Sequence, residues 1–180
     1  MLEGMYHNHP VKIDIAGTVE TIAKITAEKL YEVYNVFYNL NNMILCVAGN
    51  VTVDGVLKVA DKMLKPCEKK EIKNYFETEP YEIKEPYVEQ TFPVSMPLFN
   101  LGFKEKADKP LNEKQLACTD ILLSALASNT SMLYRNLMDS NLINSSFSYE
   151  LFEGPGYCSV IFGGESRAPK QAAELSLIHI

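Results

Sequence analysis

The chain has 180 residues and a mass of 20.3 kDa, room for one domain or two partial ones. Hydrophobic residues at 47% and aromatics at 10% supply a packed core and exclude wholesale disorder. Seventeen Lys and Arg stand against 23 Asp and Glu, and the net charge of −6 argues against a nucleic-acid partner, which needs a basic patch.

Residues 1–17 form a non-periodic entry segment with a His9-Pro10 step. Gly17-Thr18 then offers a cap for a short helix over Val19 to Ile25, and Thr26 restarts it. From Ala27 onward Leu30, Val33, Tyr34 and Phe37 fall at i, i+3, i+4 and i+7, one apolar stripe of an amphipathic helix that ends near Asn39 to Asn41. Met43 to Ala48 is all apolar and closed by Gly49-Asn50, which predicts a short buried strand. Asp54 opens a further helix carrying Val56, Leu57, Ala60, Met63 and Leu64, stopped by Pro66.

Lys65 to Gln90 holds 5 Lys and 7 Glu in 26 residues, and Pro66, Pro80, Pro86, Pro93 and Pro97 fall in or just after it. That composition predicts an extended, solvated connector. Strands are expected at Val88 to Val94 and Leu98 to Lys104, the second with Phe99, Leu101 and Phe103 on one face. Asn112 caps a helix from Glu113 to Ala127, and Thr130 caps another from Ser131 to about Asp139. Phe147, Tyr149 and Leu151 then alternate, Gly154-Pro155-Gly156 turns the chain, and Tyr157 to Phe162 returns as a hairpin partner. This order reads as α+β with largely antiparallel sheet.

The longest uninterrupted apolar run, Met43 to Ala48, falls far short of the ~20 residues that span a bilayer. The first residues, Met1 to Gly4, lack the basic and apolar regions of a secretory signal, so a cytoplasmic chain without a membrane partner is the expectation. Cys46, Cys67, Cys118 and Cys158 form no CxxC pair, and Cys46 and Cys158 read as reduced core thiols.

Few residues offer chemistry. His7 and His9 are the only close pair of imidazoles, and in an extended segment i and i+2 project to the same side. Zinc takes three or four protein ligands, so Glu3 or Asp14 would have to fold back; a turn shaped by His9-Pro10 is the plainer reading. His179 has no nearby partner in sequence. Gly163-Gly164 permits close backbone approach but is not a phosphate loop, and GxGxxG, GxxxxGK and GxSxG are all absent. Ser131, Ser145 and Ser146 have no adjacent histidine and read as caps and turn residues. Tyr31, Tyr34 and Tyr38 add an aromatic strip to the first long helix, suited to core packing or to an interface.

The order of local phrases is more specific than any single residue. His9-Pro10 followed by Ile15-Ala16-Gly17-Thr18-Val19-Glu20-Thr21-Ile22, the helix Leu30 to Tyr38, and Asn42-Met43-Ile44-Leu45 running to Gly49 resembles insulinase/pitrilysin-family zinc metallopeptidases, most of all a bacterial processing-protease-like branch. Leu101-Gly102-Phe103-Lys104, Leu133-Tyr134-Arg135-Asn136-Leu137, Leu142-Ile143, Ser146-Phe147-Ser148 and Gly163-Gly164-Glu165 follow in the order of that family's second homologous domain. The resemblance implies a tandem of α+β units, each an antiparallel sheet with helices packed on one face. On this reading residues 1–66 are the C-terminal part of the first domain, 67–86 a charged linker, and 87–180 the N-terminal part of the second, non-zinc domain.

In that family zinc is held by two histidines of an HxxEH motif, whose glutamate activates water, and by a glutamate further on. The motif is absent from this sequence, and Met1 falls just downstream of that last glutamate. Many relatives grip substrate with an arginine and a tyrosine of the second domain. Met138 occupies the arginine's place, Arg135 lies one turn earlier, and Tyr149 lies beyond the tyrosine's place, so no substrate-binding residue is carried over. Leu175 to Ile180 break from the family pattern, resemble translated sequencing-adapter sequence and read as non-native. The expectation is therefore a fragment of a zinc-dependent metalloendopeptidase, with no catalytic or metal-binding residue of its own. Its implied partners are the missing domain halves, a homologous subunit and, for the parent, a peptide substrate. The alternative is a non-catalytic subunit that serves an active peptidase as a binding partner.

Overall fold

The computed structural model describes residues 1–179, apart from the side chain of His179. The chain divides into two compact units, one built from residues 1–14 together with 76–180, the other from 15–75.

The first unit is α+β. Its sheet has three antiparallel strands in the order β1-β3-β2, with β1 at Leu98–Glu105, β2 at Ser148–Gly154 and β3 at Tyr157–Glu165. Leu101 faces Phe162 across one ladder and Tyr149 faces Phe162 across the other, which places the apolar alternations of all three strands on one side. Helices α5 (Glu113–Ala127), α6 (Met132–Asp139) and α7 (Pro169–His179) accompany the sheet. Their Leu123, Ala127, Leu133, Leu137 and Ala172 share one buried cluster with Phe99, Ile143, Phe147 and Phe162. The hairpin turn is Pro155-Gly156, with Gly156 at φ +82°, the left-handed position a type II turn assigns to glycine. Helix α5 is capped reciprocally by Asn112 and Gln115, as a capping box, and Ser131 rather than Thr130 caps α6 by accepting from the Tyr134 amide.

Glu113 to Asp139 is apolar enough over its 27 residues to be weighed as a membrane span. Ser128 to Ser131 nevertheless breaks it into helices of 15 and 8 residues, each shorter than the ~20 that cross a bilayer.

Helix α6 ends in a Schellman motif: the Asn141 amide donates to the Met138 carbonyl and the Leu142 amide to that of Leu137, both at 2.9 Å. Asn141 sits at φ +53°. Glycine adopts that conformation without a Cβ penalty, so Asn141→Gly is expected to raise stability by up to about 1 kcal/mol, and Asn141→Val to lower it by about 1–2 kcal/mol. Urea denaturation of the two variants checks the sign of each.

The unit 15–75 is helical: α2 (Val19–Ile22), α3 (Ala27–Phe37) and α4 (Val53–Met63), each capped by a threonine, Thr18, Thr26 and Thr52. Helix α2 is shorter than the expected 19–25, and Thr52 replaces Asp54 as the start of α4, Asp54 lying in its first turn. Met43 to Ala48 forms neither strand nor helix, and Ile44 is 91% exposed. A strand exists only through its neighbours, and the described residues of this unit contain no other strand to pair with. The same correction applies to Val88 to Val94, which runs without ladder partners. The apolar stripe Leu30, Val33, Tyr34 and Phe37 lies exposed, and Asn39 is the one buried residue among those described in this unit. Tyr31, Tyr34 and Tyr38 are exposed too, and the last two stack on each other at 4.5 Å instead of packing in a core. Cys46 is exposed, whereas Cys158 is buried as expected.

Candidate functional site

The best-built polar site among the described residues lies on the face of the sheet opposite the helices. Lys104 on β1 alternates away from Phe99, Leu101 and Phe103, so it shares that face with Gly102 and with Ser159, its partner across the ladder. The short helix α1 (Leu2–Met5) and the following residues cover this face, and the Met5 thioether approaches Gly102 so closely that any Cβ there would displace it. Tyr6, fully buried, sits edge-on to Tyr157.

Glu79 fastens this segment. Its Oε1 accepts from the His7 amide at 2.8 Å and from Lys104 Nζ at 2.7 Å, and its Oε2 accepts from the Asn8 and His9 amides, each at 2.7 Å. Four donors thus occupy the roughly four lone-pair directions of the carboxylate. Lys104 is equally satisfied: besides Glu79 it donates to the Met5 carbonyl at 3.0 Å and the Glu82 carbonyl at 3.1 Å, and its ammonium lies 4.7 Å from the Tyr6 ring centre. The two side chains are only 3% and 7% exposed. Burial pushes the Glu79 carboxyl up, but the Lys104 ammonium and the three amides together outweigh it and hold the carboxyl at about 2. The hydroxyl of Tyr6 moves the other way, raised chiefly by burial. Asn8 Nδ2 to Thr78 O at 2.9 Å and the Glu85 amide to Gly4 O at 2.7 Å extend the same clasp. These contacts tie residues 4–9 to 78–85, within the compact unit formed by residues 1–14 and 76–180.

His9 is committed to structure. Its Nδ1 accepts from the Val11 amide at 3.1 Å, so the proton lies on Nε2, which donates to the Pro155 carbonyl at 3.0 Å. The ring stacks on Phe76 with centres 4.8 Å apart. Neither nitrogen offers a lone pair to a metal. The Nε2 of His7 is buried without a hydrogen-bond partner. No group of three His, Cys, Asp or Glu that could hold a metal occurs among the described residues, so the residues present do not fit a zinc centre.

The remaining candidates have structural work. Ser131 caps α6, and Ser146 Oγ accepts from the Glu165 amide. A side chain on Gly163 would collide with Asn100, and one on Gly164 with the backbone of Phe147, which accounts for the glycine pair. Arg135 and Met138 are exposed on α6, while the Tyr149 ring packs toward Phe162 in the core. Glu79 and Lys104 carry no local signal. Glu79 sits in the most charged stretch of the sequence, and Lys104 lies on the strand face that alternation assigns to solvent.

Residues 24–178 match the model of the peptidase M16 inactive domain. The chain belongs to the peptidase M16 family. It is 33% identical, over 97% of its length, to a Bacillus subtilis protein named as an uncharacterized zinc protease. It superposes with a TM-score of 0.87 and 32% identity on a putative M16-like peptidase from Alicyclobacillus acidocaldarius, over 99% of its own length. A protease from Helicobacter pylori, 20% identical with a TM-score of 0.76, shares the fold. The chain spans 42% of the Bacillus protein and 43% of the Alicyclobacillus one. The insulinase-type resemblance and the α+β class with antiparallel sheet therefore hold, and the M16 match runs through all but the last two residues of the stretch 175–180.

Proposed function

We propose that this chain is the non-catalytic part of an M16 zinc metalloendopeptidase: its residues contribute an inactive-domain sheet and interface helices, and the zinc and its activating glutamate come from a separate part of the parent. The observation that carries this reading is the bare apolar surface of residues 15–75. Leu30, Val33, Tyr34 and Phe37 keep strict helical spacing, yet each stays 46–60% exposed. An amphipathic stripe of this kind is shaped for a partner surface, and Met43 to Ala48 is an apolar segment of strand length, with no strand beside it among the described residues of its unit. Family membership and the 42% span of the Bacillus relative support the reading that this surface packs against the rest of an M16 domain. Peptides are the proposed substrate of the assembled parent, and a homologous subunit the proposed second partner.

The gene tests this directly. An in-frame HxxEH upstream of the Met1 codon, followed by the distant glutamate, supports the proposal; a genuine start at Met1 overturns it in favour of a self-standing inactive subunit. A second expectation concerns the isolated chain. Leu30→Gln with Phe37→Gln is expected to change unfolding free energy by no more than about 0.5 kcal/mol, as exposed substitutions do, while reducing self-association. Sedimentation velocity and urea denaturation on the same samples separate the two effects.

A further inference from the structure

Three consecutive backbone amides aimed at one carboxylate, with a buried ammonium completing the set, form a receptor for an anion of a particular shape. Both oxygens are held, each by two donors, so the site fits a planar two-oxygen carboxylate rather than a spherical ion. Beside it opens a cleft of about 390 Å³ lined by Tyr6, Phe76, Glu79, Lys104, Gly156 and Tyr157, which gives solvent a path to the anion's position. Lys104 also donates to the Met5 and Glu82 carbonyls, so two of its protons have partners other than the carboxylate.

We propose that this cradle is a carboxylate-operated latch: the segment 1–14 is fastened to the sheet when a carboxylate fills the site, and Glu79 is the occupant supplied by the chain itself. The segment's other ties are the Gly4 carbonyl to Glu85, the Met5 carbonyl to Lys104, Asn8 Nδ2 to Thr78, the His9 ring to Pro155 and Phe76, and the buried side chains of Met5 and Tyr6. Emptying the cradle leaves the three amides without their protein acceptor and the ammonium without its counter-charge, which favours loosening of the segment. The inference concerns the clasp alone and does not depend on the peptidase reading.

The test uses the full chain with Glu79→Gly and hydrogen exchange of the amides at residues 4–12. Their protection is expected to fall at least tenfold relative to the core amides of β3. Acetate or propionate is expected to restore it saturably, and chloride at matched ionic strength is not. Glu79→Gln, which keeps one acceptor oxygen without the charge, is expected to lie between the two and serves if the glycine variant does not fold. Unchanged protection in the Gln or Gly variant would overturn the latch, and equal recovery in acetate and chloride would overturn its carboxylate selectivity.

Discussion

Replacing Lys104 with methionine is expected to destabilise the 1–14 and 76–180 unit by roughly 3–5 kcal/mol, the range for breaking a buried ion pair from one side. The ammonium accounts for one of four donors to Glu79 and for the pairing of two carbonyls, so its loss leaves a nearly buried carboxylate with three amides and orphans the Met5 and Glu82 oxygens. The double variant with Glu79→Leu is expected to cost less than the sum of the two single changes, because no unpaired charge remains. Acid behaves consistently with this. The Glu79 carboxyl is held at about 2 in the folded chain against 4.5 when unperturbed, a gap worth roughly 3 kcal/mol of preference for the folded state. The group's folded value is depressed, so its contribution is complete above about pH 4.5 and is lost as pH falls through about 2. Urea midpoints at pH 7 and pH 3 are expected to differ more for the natural chain than for Lys104→Met, in which the carboxyl sits higher and has less to lose.

Phe162→Ala is expected to cost about 3–5 kcal/mol, enough to threaten folding of a marginal domain. Phe162 is 1% exposed at the middle of the central strand, faces Leu101 and Tyr149 across its two ladders, and meets the Phe103 ring edge-on at 5.9 Å. Ile44→Ala provides the contrast. Ile44 is about as apolar but 91% exposed, and its truncation is expected to change stability by no more than about 0.5 kcal/mol in the isolated chain. Comparable losses at the two positions in chemical denaturation would mean that Met43 to Ala48 already has a packed partner.

The contrast between those residues also explains what could be read from the sequence. Asn112, Ser131 and Gly156 act over three or four positions, so caps and turns placed α5, α6 and the β2–β3 hairpin nearly to the residue. Met43 to Ala48 has strand composition, but a strand needs another chain segment beside it, and none of the described residues in 15–75 provides one. The clasp was invisible for a related reason. Glu79 meets amides 70 to 72 positions away, and Lys104 meets Glu79 across 25, separations over which no local pattern carries a signal. His9 was legible in part: its turn-forming role beside Pro10 is observed, but the Pro155 carbonyl that takes its proton is 146 residues distant. Family membership was legible because many short phrases keep one order along the chain, a property that does not depend on any single contact.

Metal content is the decisive measurement on the purified chain, made alongside a peptidase assay after dialysis against zinc-containing buffer. The His9 ring is spent on Val11 and Pro155, and no triad of ligands is assembled among the described residues. The predicted result is therefore substoichiometric, weakly held zinc and no peptide hydrolysis. One tightly bound zinc ion per chain, lost when His7 and His9 are both changed to alanine, would contradict the assignment of this chain as the non-catalytic part of an M16 peptidase.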